Sequence, residues 1–353
     1  MSLLPLEIYF KRVAEDKNCF PNRSDNYFNK YMFLLEYLRA NIYPSINTGL
    51  IVNSDDDSAS LYTDHGPEHF DEVVKSAGFL LGIDATNSTS PNLKLNLSPY
   101  EIYCLLVGIR IHDAGNIHGR EEHNKLCIQI LREAMPSNNF DMAEARIIAK
   151  IAEAHGGKTP DGGKDTINLL SKEIRTDSLI VQSQLLAGIL RIADEICENR
   201  NRAAKYLLSH DKIPEGNKIY HFYAASITNS QFENGVLLLD FAISEEWIRK
   251  KYSYEKSEIF LIDYIYERLD KIDLERLYCN RFTKTICSID SIKIKITIYD
   301  ENDYDEVINW DIVIEESGYP TRDSPLKKYT DEYNGETILD KLVENNNEKV
   351  KLT

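Results

Sequence analysis

The stretch RIHDAG, residues 110–115, places a histidine and an aspartate side by side at the end of an apolar segment. The segment before it, YCLLVGI at 103–109, carries no charged side chain. The motif SPYE at 98–101 is a capping box with proline at the first helical position, which predicts a helix from there to about Ile111. A buried helix that ends in two ionisable groups needs partners for them, because an unpaired buried charge is costly.

The first candidate partner lies in YTDHGPEHFDEVVKSAGFLLG, residues 62–82. His69 shares one helical face with the apolar residues Val73, Ala77 and Leu80, so we expect it to point inward. His65 lies four residues earlier, before or within the first turn of the same helix.

The second candidate partner is Asp194, in LLAGILRIADEICENR at 185–200. Helical spacing places it on the same face as Ala187, Leu190 and Cys197. A lone carboxylate on an apolar stripe costs several kcal/mol unless something pairs with it. A cation would supply that pairing.

The order of these residues resembles the HD superfamily of metal-dependent phosphohydrolases. EHFDEVVKSA at 68–77 is similar to its first histidine helix, IRIHDAG at 109–115 to its HD doublet, and LRIADEI at 190–196 to its last aspartate. The resemblance covers roughly residues 60–200. It implies an all-α fold in which His69, His112, Asp113 and Asp194 hold a divalent ion.

Phosphoryl transfer needs mainly positioning and charge stabilisation, which an ion with open positions supplies. Two histidines and two aspartates are compatible with Mn²⁺, Fe²⁺, Mg²⁺, Ni²⁺ or Zn²⁺, and a second ion is an open alternative. We expect Asp113 to be a catalytic residue as well as a ligand, with one oxygen on the metal and the other accepting a proton from water.

Other residues are candidates for the same site. Relatives often use histidines in these intervals for a second metal or a general acid, which makes His118, His123 and His155 catalytic candidates. His155 precedes a Gly-rich loop that contains Lys158, and its alternative role is a helix-capping residue. The expected anion contacts are Lys158, Arg120 and Arg191. For His65 a hydrogen bond to the HD doublet is favoured over direct metal ligation.

The remaining sequence predicts a mainly α protein, with an HD-type helical bundle followed by a smaller α+β portion. We divide the chain into an all-α domain at 1–208, an α+β portion at 209–320 and a polar, frayed tail at 321–353. The α+β portion is predicted to contain a hairpin from 220–228 and 236–243, a long helix at about 245–280, and two further strands at 292–298 and 310–314.

Composition excludes several classes of protein. Six cysteines without a CxxC pair argue against a zinc finger or disulfide scaffold. Without a long apolar run or a signal peptide, we expect a cytoplasmic protein with no membrane contact. The formal charge of −16 argues against wrapping long nucleic acids.

YTDHGPEH at 62–69 and the ending EESGYP at 315–320 look similar to a bacterial HD subgroup found in antiphage conflict systems. In that subgroup an HD domain often accompanies an Hsp90-like ATPase, so such an ATPase or another defence protein is an expected partner. We also expect a homodimer, paired through the charged helix or the isoleucine strand.

Three functions follow. The first is a metal-dependent phosphohydrolase of a nucleotide, of the (d)NTP type, acting as an antiviral effector. The second is a phosphodiesterase or nuclease on cyclic or short single-stranded nucleic acid. The third is a metal- or nucleotide-binding interaction module that partners an ATPase.

Overall fold

A computed structural model of the chain describes residues 2–46, 50–52, 59–61, 67–118, 123–135, 141–176, 179–300, 304–316 and 324–352. The first of two compact units combines described residues from 1–48, 65–197 and 277–288, and the second those from 49–64, 198–276 and 289–353. Each unit is assembled from separate stretches of chain, whereas the predicted division is consecutive, at 1–208, 209–320 and 321–353. Those boundaries stay predictions.

The described residues form helices and strands, which are numbered in chain order. Up to residue 209 they are α1 Pro5–Val13, α2 Tyr27–Tyr37, α3 Tyr43–Ile46, β1 Leu50–Val52, β2 Ala59–Leu61, α4 Pro67–Leu80, α5 Pro99–Ile111, α6 Cys127–Ala134, α7 Met142–Glu153, β3 Ile174–Thr176, β4 Leu179–Val181, α8 Ser183–Ile196 and α9 Lys205–Ser209. They continue with α10 Glu215–Ser226, β5 Ile227–Glu233, β6 Val236–Ser244, α11 Glu245–Ile248, β7 Lys251–Tyr254, β8 Ser257–Phe260, α12 Leu261–Thr283, β9 Ser291–Tyr299, β10 Glu306–Glu315, α13 Lys327–Tyr333 and α14 Gly335–Leu352.

Helix α5 is the centre of the first unit. Every residue from Tyr100 to Ile111 is buried, and helices α1, α2, α4, α7 and α8 pack around it. A helix that is apolar on all sides is stable only in such surroundings. The predicted capping box is present, since the Ser98 hydroxyl accepts from the Glu101 amide and the Glu101 carboxylate accepts from the Ser98 amide. The apolar helix that precedes the HD doublet is therefore the core of the unit.

A buried ionic network fixes α5 against α1, α2 and α4. Arg110 is fully buried and donates to Glu7 at 2.7 Å, to Asp71 at 2.5 Å and to the Tyr31 hydroxyl at 3.0 Å. Arg39 donates to the same Asp71 carboxylate at 2.9 Å. These bonds satisfy the guanidinium, whose burial would otherwise be costly. They also set the position of the residues that follow Arg110.

The second unit contains a four-stranded sheet in the order β10-β9-β6-β5. Strands β6 and β9 are parallel, and their neighbours pair antiparallel. The isoleucines of β9 are buried and the lysines between them exposed, which confirms the predicted alternation at 292–298. A two-residue turn joins β5 to β6, where Asn234 and Gly235 have φ of 50° and 80°, as a type I′ hairpin requires.

Two predictions for this unit are wrong. Residues 220–226 belong to helix α10 instead of a strand, because the buried Ile219, Tyr223 and Ser226 recur at helical spacing and outweigh the aromatic content. The long helix starts at Leu261 instead of 245, since β7 and β8 form a hairpin there, with Glu255 at φ 50° in its turn.

The fraying expected of the polar tail is not found in its described residues. Helices α13 and α14 form there, and Leu326, Ile338 and Leu342 are buried. These apolar residues give an otherwise largely polar segment its buried contacts. The protein is mainly α-helical with a smaller α+β portion, as predicted. Within the described part of the chain, every helix is too short or too polar to cross a lipid bilayer.

Candidate metal centre

Three helices of the first unit bring the predicted quartet together. His69 lies in the first turn of α4 with its ring buried, and His112 and Asp113 directly follow α5. Asp194 lies near the end of α8. Its side chain is 28% exposed, so it is less buried than its apolar stripe indicated. The exposed part gives the cluster access to solvent.

The four side chains approach one another closely. The Nε2 atom of His69 lies 3.3 Å from Nε2 of His112, 3.6 Å from Oδ2 of Asp113 and 3.3 Å from Oδ1 of Asp194. The Nε2 atom of His112 lies 3.8 Å from Oδ2 of Asp113 and 3.5 Å from Oδ1 of Asp194. Adjacent ligands that are each about 2.1 Å from one ion lie about 3 to 3.5 Å apart. The quartet fits a divalent ion.

A second group of ligands shares Asp113 with the first. Its other oxygen, Oδ1, lies 3.0 Å from Nε2 of His123 and 3.4 Å from Nε2 of His155. One ligand atom from each of Asp113, His123 and His155 lies within 4.8 Å of the other two, a spacing compatible with a metal ion. The two carboxylate oxygens of Asp113 therefore face different sets of histidines.

Backbone carbonyls orient two of the rings. The Nδ1 atom of His112 lies 2.7 Å from the carbonyl oxygen of Ile109, and Nδ1 of His155 lies 2.6 Å from that of Ala152. A carbonyl can only accept, so each Nδ1 carries a proton, and Nε2 is the ring atom that can bind a metal once it is unprotonated. This is the tautomer that a metal-binding histidine needs.

The charges of the cluster are strongly coupled. Burial disfavours the imidazolium of His112, but the carboxylates of Asp113 and Asp194 outweigh it and raise the pKa of His112 to about 9. Burial also opposes the charge of Asp194, yet hydrogen bonds from His112 and His69 hold the pKa of Asp194 well below its ordinary value. Without an ion, protons thus supply the positive charge that the carboxylates require.

Close packing fixes the segment that carries His123. A Cβ atom at Gly115 would overlap the carbonyl oxygen of His123, so only glycine allows the short helix Ala114–His118 to contact the one at His123–Leu126. Asn124 donates to the carbonyl of Glu153 at 3.1 Å. This bond holds His123 beside the end of α7, where His155 follows.

The other predicted site residues have different positions. His118 ends the short helix after the HD doublet, and its side chain lies outside the described residues, as do His65 and Arg120. Lys158 is exposed in the loop after His155. Their predicted roles remain predictions.

Arg191 has contacts that differ from those expected of an anion ligand. Its guanidinium is buried, donates to the carbonyl of Lys164 at 3.0 Å and to the Thr166 hydroxyl at 2.9 Å, and lies over the Tyr278 ring at 4.6 Å. Thr166 in turn donates to the carbonyl of Ala154 at 2.7 Å. These contacts tie Arg191 to the loop after His155, and its predicted role as an anion contact remains a prediction.

Sequence reasoning missed Cys197, Asn124 and Thr166. The Sγ atom of Cys197 lies 3.6 Å from Nδ1 of His69 and within 4.8 Å of a carboxylate oxygen of Asp194, so these three residues form a further group that could hold a metal ion. Its place on the Asp194 stripe, three residues later, was the available signal. Asn124 and Thr166 act through backbone carbonyls of other segments, and sequence spacing does not indicate such contacts.

Comparison with known families agrees with this geometry. The family model described as HD-CE matches residues 59–271, more than half of the 353-residue chain. The chain belongs to the HD-CE family. The HD-CE match includes His69, His112, Asp113 and Asp194, and it confirms the HD resemblance. It also extends beyond residue 200, into the second unit. No curated protein and no solved structure matches the chain.

Proposed function

We propose that this HD-CE protein is a metal-dependent phosphohydrolase that cleaves a phosphate ester or anhydride of a nucleotide. One observation carries the proposal, namely that Asp113 presents each carboxylate oxygen to a separate pair of histidines. A bridging carboxylate between two sets of ligands is typical of centres that hold two ions a few ångströms apart.

His69, His112 and Asp194 would hold one ion and His123 and His155 the other, with Asp113 shared. Divalent ions bound there would lower the pKa of water and offset charge on phosphoryl oxygens. The chain itself supplies the orientation, because His112 and His155 are locked by backbone carbonyls. In a centre with a single ion held by His69, His112, Asp113 and Asp194, His123, whose side chain is 22% exposed, would instead exchange protons with a substrate.

The test is reconstitution of the purified protein with Mn²⁺, Fe²⁺, Mg²⁺, Ni²⁺ or Zn²⁺, followed by assays on nucleoside triphosphates. Release of phosphate, pyrophosphate or triphosphate supports the proposal and identifies the scissile bond. Asp113→Ala should abolish the release. Metal binding without turnover of any phosphate compound would refute it and favour an interaction module that partners an ATPase.

A phosphodiesterase or nuclease is the second candidate. The shared carboxylate favours it too, since paired ions suit in-line displacement at a diester. The charge of −16 points to short or cyclic substrates in preference to long polymers. Cyclic dinucleotides and short single-stranded oligonucleotides therefore belong in the same panel, and cut ends without nucleotide hydrolysis would select this candidate.

A role in antiviral defence, with an Hsp90-like ATPase or another defence protein as partner, belongs to the same proposal and rests on the family resemblance alone. Phage plating on cells that express the protein or its Asp113→Ala variant tests it. Protection that requires Asp113 is expected. Equal protection by the variant would separate any defence role from hydrolysis.

A further inference from the structure

A cavity of about 640 Å³ in the first unit is lined by residues that neighbour His123 and His155 in sequence. Asn124 and Lys125, which directly follow His123, form part of its lining, as do Ala154 and Gly156, which flank His155. The cavity wall is thus continuous in sequence with the histidines nearest to Oδ1 of Asp113. Its volume is within the range of small-molecule sites, about 300–1,000 Å³.

The lining is cationic in an acidic protein. Lys125, Lys150 and Lys158 line the cavity against one carboxylate, that of Glu153. Three lysines around one cavity, in a chain of net charge −16, provide a local site for an anion.

The same cavity has an apolar wall. Leu169 and Leu170 contribute to it, and Leu169 is 64% exposed despite its size. Gly156 and Gly157 supply bare backbone, and Gly157 has a φ of 77° with no room for a side chain beside Asn124. Lysines, an accessible leucine and glycine backbone together match a ligand that carries both phosphates and a planar apolar ring.

We propose that this cavity binds the part of the substrate that is not cleaved, and that this part makes the substrate a nucleoside polyphosphate. The lysines contact the phosphates that do not react, and the base lies against Leu169 and Leu170. The inference rests on the proposed function for the place of the scissile bond. A simple phosphomonoester would leave the cavity unfilled and is expected to be a poor substrate.

Direct binding tests the cavity without hydrolysis. Metal-loaded protein is titrated by calorimetry with α,β-methylene and β,γ-methylene analogues of the four common nucleoside triphosphates, and any analogue that chromatography shows to be cleaved during the titration is left out. Lys150→Glu and Lys158→Glu should each raise the Kd about tenfold, because attraction of a phosphate becomes repulsion. Lys94→Glu is the matched control, since Lys94 is also an exposed lysine of the first unit but does not line the cavity. Metal content is measured in every variant and should not change.

Hydrolysis assays distinguish the cavity proposal from the proposed phosphohydrolase function. If nucleotides are substrates, Lys150→Glu and Lys158→Glu should raise KM for nucleotides about tenfold, whereas Lys94→Glu should leave that KM and the cleavage rate of bis(p-nitrophenyl) phosphate unchanged. Lysine-dependent binding without hydrolysis supports the cavity and rejects the proposed function. Hydrolysis with the same KM in Lys150→Glu, Lys158→Glu and Lys94→Glu rejects the cavity alone, and failure of every analogue to bind also rejects it.

Discussion

The guanidinium of Arg110 lies 2.5 Å from the carboxylate of Asp71, and each residue is two positions from a histidine of the candidate metal centre. Arg110 precedes His112 on α5, and Asp71 follows His69 on α4. The ion pair therefore joins the two helices that carry these ligands. It holds them in register before any ion binds.

Replacing Arg110 by methionine should destabilise the protein strongly. The variant leaves the buried carboxylate of Glu7 without its cationic partner, and breaking such an ion pair costs about 3–5 kcal/mol of unfolding free energy. Urea unfolding measures the loss. Arg132→Met, at an exposed position of α6, is the control and should change the free energy by less than about 0.5 kcal/mol. A similar small change for Arg110→Met would show that the network contributes little.

The number of metal ions bound per protein should fall by one when the ligands on either side of Asp113 are removed. The wild-type protein is expected to bind two ions, and the double variant His123→Ala/His155→Ala one, because only the set around Oδ1 is removed. The variant His69→Ala/Asp194→Ala should lose the other ion. Elemental analysis after dialysis gives the count. One ion in the wild-type protein would contradict a shared carboxylate.

The pH dependence of the metal-free protein should follow His112. Its pKa rises from an ordinary 6.5 to about 9 on folding, so the proton stabilises the fold fully below pH 6.5 and ceases to do so as pH rises through 9. The Tm without metal is expected to fall over this range. Metal ions need the unprotonated Nε2 atom, so the increase in Tm on adding metal should grow over the same range. In His112→Gln, the fall in Tm without metal and the growth of the metal-induced increase in Tm should both lose the part that depends on His112.

Removing the hydroxyl of Thr166 should lower the free energy of unfolding more than the small size of the group indicates. Thr166→Val removes the bond to the Ala154 carbonyl and leaves one donor of Arg191 without its acceptor, at a cost of about 1–3 kcal/mol. Since Ala154 precedes His155, we also expect weaker metal binding at that set. Thr228→Val, which removes an exposed hydroxyl bond to the Asp240 carbonyl, serves as the comparison. Equal effects of the two changes would argue against a positioning role.

The sequence predicted the helices that carry His69, His112 and Asp194, because apolar spacing and the Ser98 capping box are local signals. It also predicted the alternation of the β9 isoleucines. It misassigned α10 as a strand, because aromatic residues are enriched in strands and the sequence does not show which neighbours they pack against. The contact between Arg191 and Thr166 spans 25 residues and depends on how a loop folds back. No local sequence pattern predicts that contact.

The Tyr278 ring has a consequence for where the chain can be shortened. Tyr278 lies under Arg191 and accepts a hydrogen bond from the Ile167 amide at 3.0 Å, yet it follows both residue 208 and the last residue of the family match. A fragment trimmed to 59–271 would keep His69, His112, Asp113 and Asp194 but lose this ring, together with Glu7 and Tyr31 under Arg110. Family boundaries alone would therefore yield a fragment with all its ligands and an unsupported scaffold.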